Sequence, residues 1–448
     1  MFRKLTSLVL ALMMVLSMAS FAVAEEAAPV PVPEGRRVVT FWHSMTSTNL
    51  EATQYIVDQF NASQDEIWVE ASYQGGYDEC LTKLKSGFMA QSAPDVFMMY
   101  ELGANYLANS GYVIPFEDRL ANDPVVELDD VVDVLRNYYT INGKMQCFPY
   151  NPSSNILYYN KTAFEAAGVE LPKTLGGYAD IAEALTTKGG VKYPMVIRIY
   201  GWVFENFLAG AGGYYLNNEN GRAGLATALE YTESEEGKKV MELWKKLVDD
   251  GVVLNLGTNG TDCRTAFLAG DAAAYIASTA NLRTIQSGAE GKFEVGVAYM
   301  PVMEEDSATA VLIGGANLWM YKSGDEQRQD DAWEFVKFFA GDPQWGAYFS
   351  EKSGYFAGRK SAYETESYAA YLESNPGARV AINQLLDSPI NTITAGANCG
   401  CMTELRQIWE QNFSNYLDDV CDLEETLEIM REEANSAIEL YNEVNGLI

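Results

Sequence analysis

Apolar positions along the chain follow two periods in turn. Val38–Trp42 predicts a short strand, and Asn49–Ala62 a helix with Tyr55, Ile56, Val57 and Phe60 on or beside one face. Ile67–Tyr73 predicts a strand, Cys80–Gln91 a helix and Asp95–Tyr100 a further strand. That order argues for α/β lobes built on largely parallel sheets. Later, Ile156–Tyr159 predicts a strand crossing between lobes, followed by a helix over Thr162–Ala167 that stops at Gly168. Tyr193–Tyr200, Ala272–Ser278, Phe293–Tyr299 and Leu318–Tyr321 predict strands. In Glu235–Asp250 the residues Val240, Leu243, Trp244, Leu247 and Val248 fall on one helical stripe. Asp330–Ala340 predicts a helix with Trp333, Val336 and Phe339 inward, and a stripe from Leu423 to Tyr441 makes the C-terminus helical.

The first residues break this pattern. Arg3 and Lys4 precede the apolar run Leu8–Met18, and Ala22-Val23-Ala24 fits a cleavage site, so residues 1–24 read as an export signal. Residues 25–36 form a Pro-rich arm expected to be flexible. The 448-residue chain is too long for one ordinary core and suits two lobes. Its formal net charge of −31 argues against nucleic acid and anionic membranes as partners. Six cysteines are too few for a disulfide scaffold in a chain of this size, although export permits a pairing such as Cys421 with Cys399 or Cys401. Cys399-Gly400-Cys401 lacks the usual zinc spacing, and no metal or cofactor is expected.

Catalytic readings find little support. His43 is the sole histidine, and the sequence holds no nucleophile elbow, H-E-x-x-H or phosphate loop. A two-carboxylate glycosidase would draw on Glu101 and Glu205, but two carboxylates among 62 acidic residues carry little weight. Aromatics that invite a functional reading stand at strand ends and in Gly-rich loops: Trp42, Tyr77, Tyr100, Trp202 and Tyr355.

Several short blocks carry a resemblance. They are Phe41-Trp42-His43-Ser44-Met45, Tyr73-Gln74-Gly75-Gly76-Tyr77, Tyr100-Glu101, Leu157-Tyr158-Tyr159-Asn160-Lys161, Gly314-Gly315-Ala316-Asn317 and Lys352-Ser353-Gly354-Tyr355. Through them, from about Val38 to the C-terminal helix, the chain resembles the maltose-binding-like solute-binding proteins of ABC importers. Within that family it is most similar to the glycerol-3-phosphate binders. The resemblance implies a periplasmic-binding-protein-like α/β fold, two lobes with a ligand cleft between them and several hinge crossings. Lobe one is expected at 37–150 and 311–343, and lobe two at 151–310 and 344–448.

The resemblance also implies a ligand set of Tyr77, Glu101, Ser153, Ser278, Gly315, Tyr355 and Arg406, with Trp42 and Trp202 beside it. Arg406 would supply a bidentate fork for phosphate, and Glu101 would accept bonds from vicinal hydroxyls. One departure is the segment Ile199-Tyr200-Gly201-Trp202, which has one tryptophan where the family has two. It implies room for a phosphodiester such as glycerophosphocholine. The expected protein is an extracytoplasmic monomer, not an enzyme, that delivers glycerol 3-phosphate or a glycerophosphodiester to permease subunits. The alternative is a receptor for a neutral oligosaccharide.

Overall fold

Residues 31–448 are described by the computed structural model, so the expected export signal and the start of the arm lie outside the described residues. The first strand, β1 (Arg37–His43), turns Val39, Phe41 and His43 inward, and at its exposed start Arg37 pairs with the buried Asp331 at 2.8 Å. It runs parallel to β2 (Ile67–Tyr73) and β3 (Val96–Tyr100). β3 is a continuous apolar run buried up to Met99, the signature of a central strand covered on both faces. β4 (Val113–Ile114) is short, and β5 (Thr140–Ile141) and β6 (Lys144–Met145) form a separate hairpin.

β7 (Phe148–Ser153) completes the first sheet, and β8 (Asn155–Asn160) opens a second. The chain therefore crosses between lobes at Ser154, just before the strand expected over 156–159, which lies wholly in the second sheet. The sequence pattern does not reveal β7 because Pro149 and Pro152 interrupt it. It survives as a strand because it pairs on one side only, with Gly314–Leu318, and missing N–H donors are tolerated on the unpaired side. The second sheet adds β9 (Tyr193–Ile197), β10 (Val253–Leu254), β11 (Ala272–Ser278) and β12 (Val295–Ala298) in the order β10-β9-β11-β8-β12. β13 (Gly314–Tyr321) then returns to the first sheet between β3 and β4.

Both sheets are mixed, which corrects the expectation of largely parallel pairing. β1, β2 and β3 are parallel, as are β9, β10 and β11, but β8 and β13 pair antiparallel with their neighbours. The reason is connectivity. A strand that follows a crossing from the other lobe enters its sheet from the cleft edge, opposite to strands that run toward it.

Helices cover the sheets. The helix Glu235–Asp249 buries Val240, Met241, Trp244 and Leu247 and is capped by Ser234, whose side chain accepts from Gly237 N. Trp244 packs on Trp409 and Phe413 of the helix Met402–Leu417. The helix Pro343–Ser353 packs against the helix Ser47–Ser63. Among the described residues no helix is long and apolar enough to cross a membrane.

Candidate functional site

The topology brings one edge of each sheet to the cleft. β1 and β3 end there at His43 and Tyr100, and antiparallel β13 begins there at Gly314, opposite Ser153 of β7. From the second sheet come Ser278 at the end of β11, Asn155 opposite it at the start of β8, and the segment after β9. Ligands of open α/β sheets bind outside such carboxyl ends.

At the centre lies a charged cluster. Arg406, in the first turns of the helix Met402–Leu417, is 4 % exposed. Its Nε donates to Glu205 Oε1 at 2.6 Å and its Nη2 to Glu205 Oε2 at 3.0 Å, a bidentate fork. Its Nη1 donates to Glu101 Oε1 at 3.1 Å across the cleft. Burial opposes the Arg406 charge, yet the two carboxylates outweigh it and hold the guanidinium charged well above its ordinary range. Burial raises the Glu101 carboxyl despite Arg406 beside it. Two carboxylates thus share one guanidinium, whose Nε, Nη1 and Nη2 are each engaged by Glu205 or Glu101. Glu205 sits in the helix Gly201–Gly210, where nine successive residues are buried. A lone carboxylate inside such an apolar run is the signal that could have identified it as a structural partner.

On the lobe-one side, Tyr77 begins the helix Tyr77–Met89 and stacks on Tyr100, ring centroids 5.0 Å apart and 6° from parallel. Asn151 Nδ2 donates to the Tyr77 phenol at 3.2 Å, and Asn151 Oδ1 accepts from Ala316 N at 3.1 Å. Burial raises the phenols of Tyr77 and Tyr355, which also lie close enough to interact with each other and with Asn151. Gly315 has φ +92°, and a Cβ there would run into the Asn151 carbonyl oxygen. Tyr100 reaches Thr403 Oγ1 at 2.9 Å, a second link between the lobes. Trp42 stands half-buried in β1, in register with Ser72 and Phe97, apart from this cluster.

On the lobe-two side, Ser278 Oγ accepts from Ala280 N at 3.2 Å. With Trp202 and Tyr200 it lines a cavity of about 400 Å³ that also includes Asn155, Arg198 and Arg264. Trp202 packs so close to the returning chain that a Cβ on Gly314 would sit 2.7 Å from its ring. The wall expected to be thinned by a missing tryptophan is filled by Tyr200. Its ring lies between Arg198, 4.1 Å away, and Arg406, 5.9 Å away. Neither arginine contact was foreseen, because periodicity places Arg198 within the predicted strand over 193–200.

His43 is buried, its Nδ1 accepts from Met45 N at 3.2 Å, and burial pushes its pKa down to about 4. That makes it a neutral structural acceptor. All six cysteines are free; Cys399 and Cys401 lie with their sulfurs 3.3 Å apart, which displaces Cys421 as the partner of either. Among the described residues no cluster of His, Cys, Asp or Glu is arranged to hold a metal ion.

The chain matches the family of bacterial extracellular solute-binding proteins over residues 55–376. It is 29% identical over 387 residues to the sn-glycerol-3-phosphate-binding periplasmic protein UgpB of Escherichia coli strain K12, covering 84% of this chain and 87% of the relative. Among solved structures, UgpB of Mycobacterium tuberculosis in complex with glycerophosphocholine superposes with a TM-score of 0.75 at 24% identity, covering 90% of this chain and 98% of that one. The sugar-binding protein MalE of Xanthomonas citri gives 0.76 at 17%, covering 91% and 99%. The cyclic alpha-maltosyl-1,6-maltose binding protein of Arthrobacter globiformis gives 0.74 at 22%, covering 90% and 99%. The chain belongs to the bacterial extracellular solute-binding proteins, non-catalytic extracytoplasmic receptors that bind a small molecule for an ABC importer.

Proposed function

We propose that this receptor binds sn-glycerol 3-phosphate or a glycerophosphodiester in the cleft, as a periplasmic monomer, and presents it to the permease. One observation carries the reading: the two walls of the cleft offer opposite chemistry. Glu101, pinned by Arg406 beside the Tyr77–Tyr100 stack, is an acceptor for vicinal hydroxyls. The facing wall, with Ser278, Trp202, Arg198 and Arg264, is rich in donors. A ligand with hydroxyls at one end and an anion at the other satisfies both. On this reading Ser153, Gly315 and Tyr355 would contact the ligand between the two poles and Tyr77 would cover its carbon skeleton. The names of the Escherichia coli and Mycobacterium tuberculosis relatives support the same ligand class.

A neutral oligosaccharide is the second reading. It is favoured by the stacked Tyr77–Tyr100 pair, a platform suited to a sugar face, and by the sugar-binding structures of similar fold. Native mass spectrometry of the purified protein, followed by calorimetry with glycerol 3-phosphate, glycerophosphocholine and maltose, separates the two. Tight binding of maltose with no response to either phosphate compound refutes the proposal.

A further inference from the structure

The cavity on lobe two holds more positive charge than a glycerol-binding cleft needs. Arg198 donates from Nε to Thr258 O at 2.6 Å, and Arg264 from Nη1 to Asn281 Oδ1 at 3.2 Å. Both bonds go to neutral acceptors, and neither arginine has an ion-pair partner among the described residues. Glu410 lies close enough to interact with Arg198 but forms no ion pair with it, accepting instead from Gly201 N at 3.0 Å. Asp262, which acts on Cys263 as Arg198 does, is exposed to solvent. In a chain with a net charge of −31, two guanidinium groups lining one cavity without a carboxylate partner are a specific arrangement.

A second, independent observation points the same way. Asn155 is 1 % exposed and Trp202 5 %, and both line the cavity. Asn155 Nδ2 and Trp202 Nε1 are buried with no hydrogen-bond partner among the described residues. An unmade bond to a buried donor is costly, and an acceptor in the cavity would complete both. Both orphans are donors. Because the Ser278 oxygen already accepts from Ala280 N, its hydroxyl hydrogen is free to donate as well. Two guanidiniums, an indole N–H, an amide NH2 and a hydroxyl make a donor-rich lining with net positive charge, which is complementary to phosphate or carboxylate oxygens.

We propose that this cavity, and not Arg406, is the anion subsite, with Arg198 and Arg264 carrying the ligand's negative charge. The assignment rests on the glycerol phosphate reading for the ligand class and changes which residues hold its phosphoryl group. Arg406 then belongs to the hydroxyl pole, where its role is to fix Glu101 and Glu205. A corollary follows for phosphodiesters. The substituent that leaves the phosphate toward Arg198 and Arg264 meets cations, so an anionic or polyhydroxyl head group is accepted and a quaternary ammonium is repelled.

The test is calorimetry of the full mature chain with sn-glycerol 3-phosphate, glycerophosphoinositol and glycerophosphocholine, on wild type and on Arg198→Gln/Arg264→Gln. The expected result is that the double variant keeps its melting temperature and binds glycerol 3-phosphate about a hundredfold or more weaker. In the wild type, glycerophosphoinositol should bind more tightly than glycerophosphocholine. Should the double variant misfold, Arg264→Gln against Arg264→Lys decides, since lysine keeps the charge and restores most of the affinity. Wild-type affinity for glycerol 3-phosphate in the double variant overturns the subsite and leaves the ligand reading standing. If the wild type ignores glycerol compounds but binds glucose 1-phosphate, and the double variant does not, the ligand reading falls and the subsite stands. Binding of maltose alone, unchanged in the double variant, overturns both.

Discussion

Replacing Arg406 with methionine tests the charged cluster directly. The substitution keeps most of the side-chain volume and removes three charge-assisted bonds, at 2.6, 3.0 and 3.1 Å. What it leaves matters more: Glu205 and Glu101, each with a side chain 5 % exposed, lose the one cation that pairs with them among the described residues. Breaking a buried pair by removing one partner costs about 3–5 kcal/mol. At about 2–4 °C per kcal/mol, the melting temperature of the lobe should fall by on the order of 10 °C.

The pH dependence identifies the cause. In the variant Glu101 is buried without the cation that now offsets part of its burial, so its folded-state pKa lies further above the unfolded one. The folded state then holds protons that the unfolded state releases, and stability falls as pH rises through that window. The deficit against wild type should therefore be largest near about pH 7.5 and shrink toward about pH 5. Calorimetric melts of wild type, R406M and R406M/E205Q/E101Q measure this, and the triple variant should recover most of the loss at neutral pH. A pH-independent deficit, or an R406M melt equal to wild type, would refute the reasoning. A loss of ligand affinity in Arg406 variants would not by itself show that Arg406 touches phosphate, because the same change releases Glu101.

Other consequences are simpler to check. His43 has a pKa of about 4 in the fold against an ordinary 6.5, so the unfolded state takes up the proton first on acidification. Stability should fall by about 3 kcal/mol as pH drops through that window, and in His43→Asn this component should vanish from urea melts run at several pH values. Gly315→Ala forces a side chain onto φ +92° and into the Asn151 carbonyl, and should cost at least about 2 kcal/mol by urea denaturation while loosening the Tyr77–Asn151 contact. Cys399 and Cys401, sulfurs 3.3 Å apart, should convert to a disulfide with oxidised glutathione, two thiols losing two electrons and two protons to it. Intact mass and peptide mapping should then place the bond between those two residues and leave Cys421 alkylatable.

How far the sequence revealed the molecule depended on what each element asks of its residues. Strands and helices that bury one face declared themselves: the stripe of Val240, Trp244 and Leu247 and the apolar run of β3 are where periodicity puts them. β7 was hidden, since Pro149 and Pro152 are strand-breaking except at the unpaired side of a ladder, and only the pairing partner β13 reveals that side. Sheet direction was hidden for a related reason. Local hydrophobicity says that β8 and β13 are strands, while their antiparallel sense follows from which lobe the chain has just left.

The site divides along the same line. Glu101 and Gly315 stand at the ends of elements, where position in the sequence predicts position at the cleft. Arg406 was legible as a charge but not in its company. Its fork closes on Glu205, 201 residues away in sequence, and no local pattern encodes a pairing of that span. The same holds for Arg198 and Arg264. Each reads as an ordinary polar position in its own segment, and they become one cavity only when the strand β9 and the helix Gly260–Leu268 pack side by side. A cation that already has carboxylate partners and a cation that has none look identical in sequence. The difference between them is what separates a strut from a ligand anchor, and it is the ground on which the anion site is proposed on the far wall of the cleft rather than at the helix Met402–Leu417.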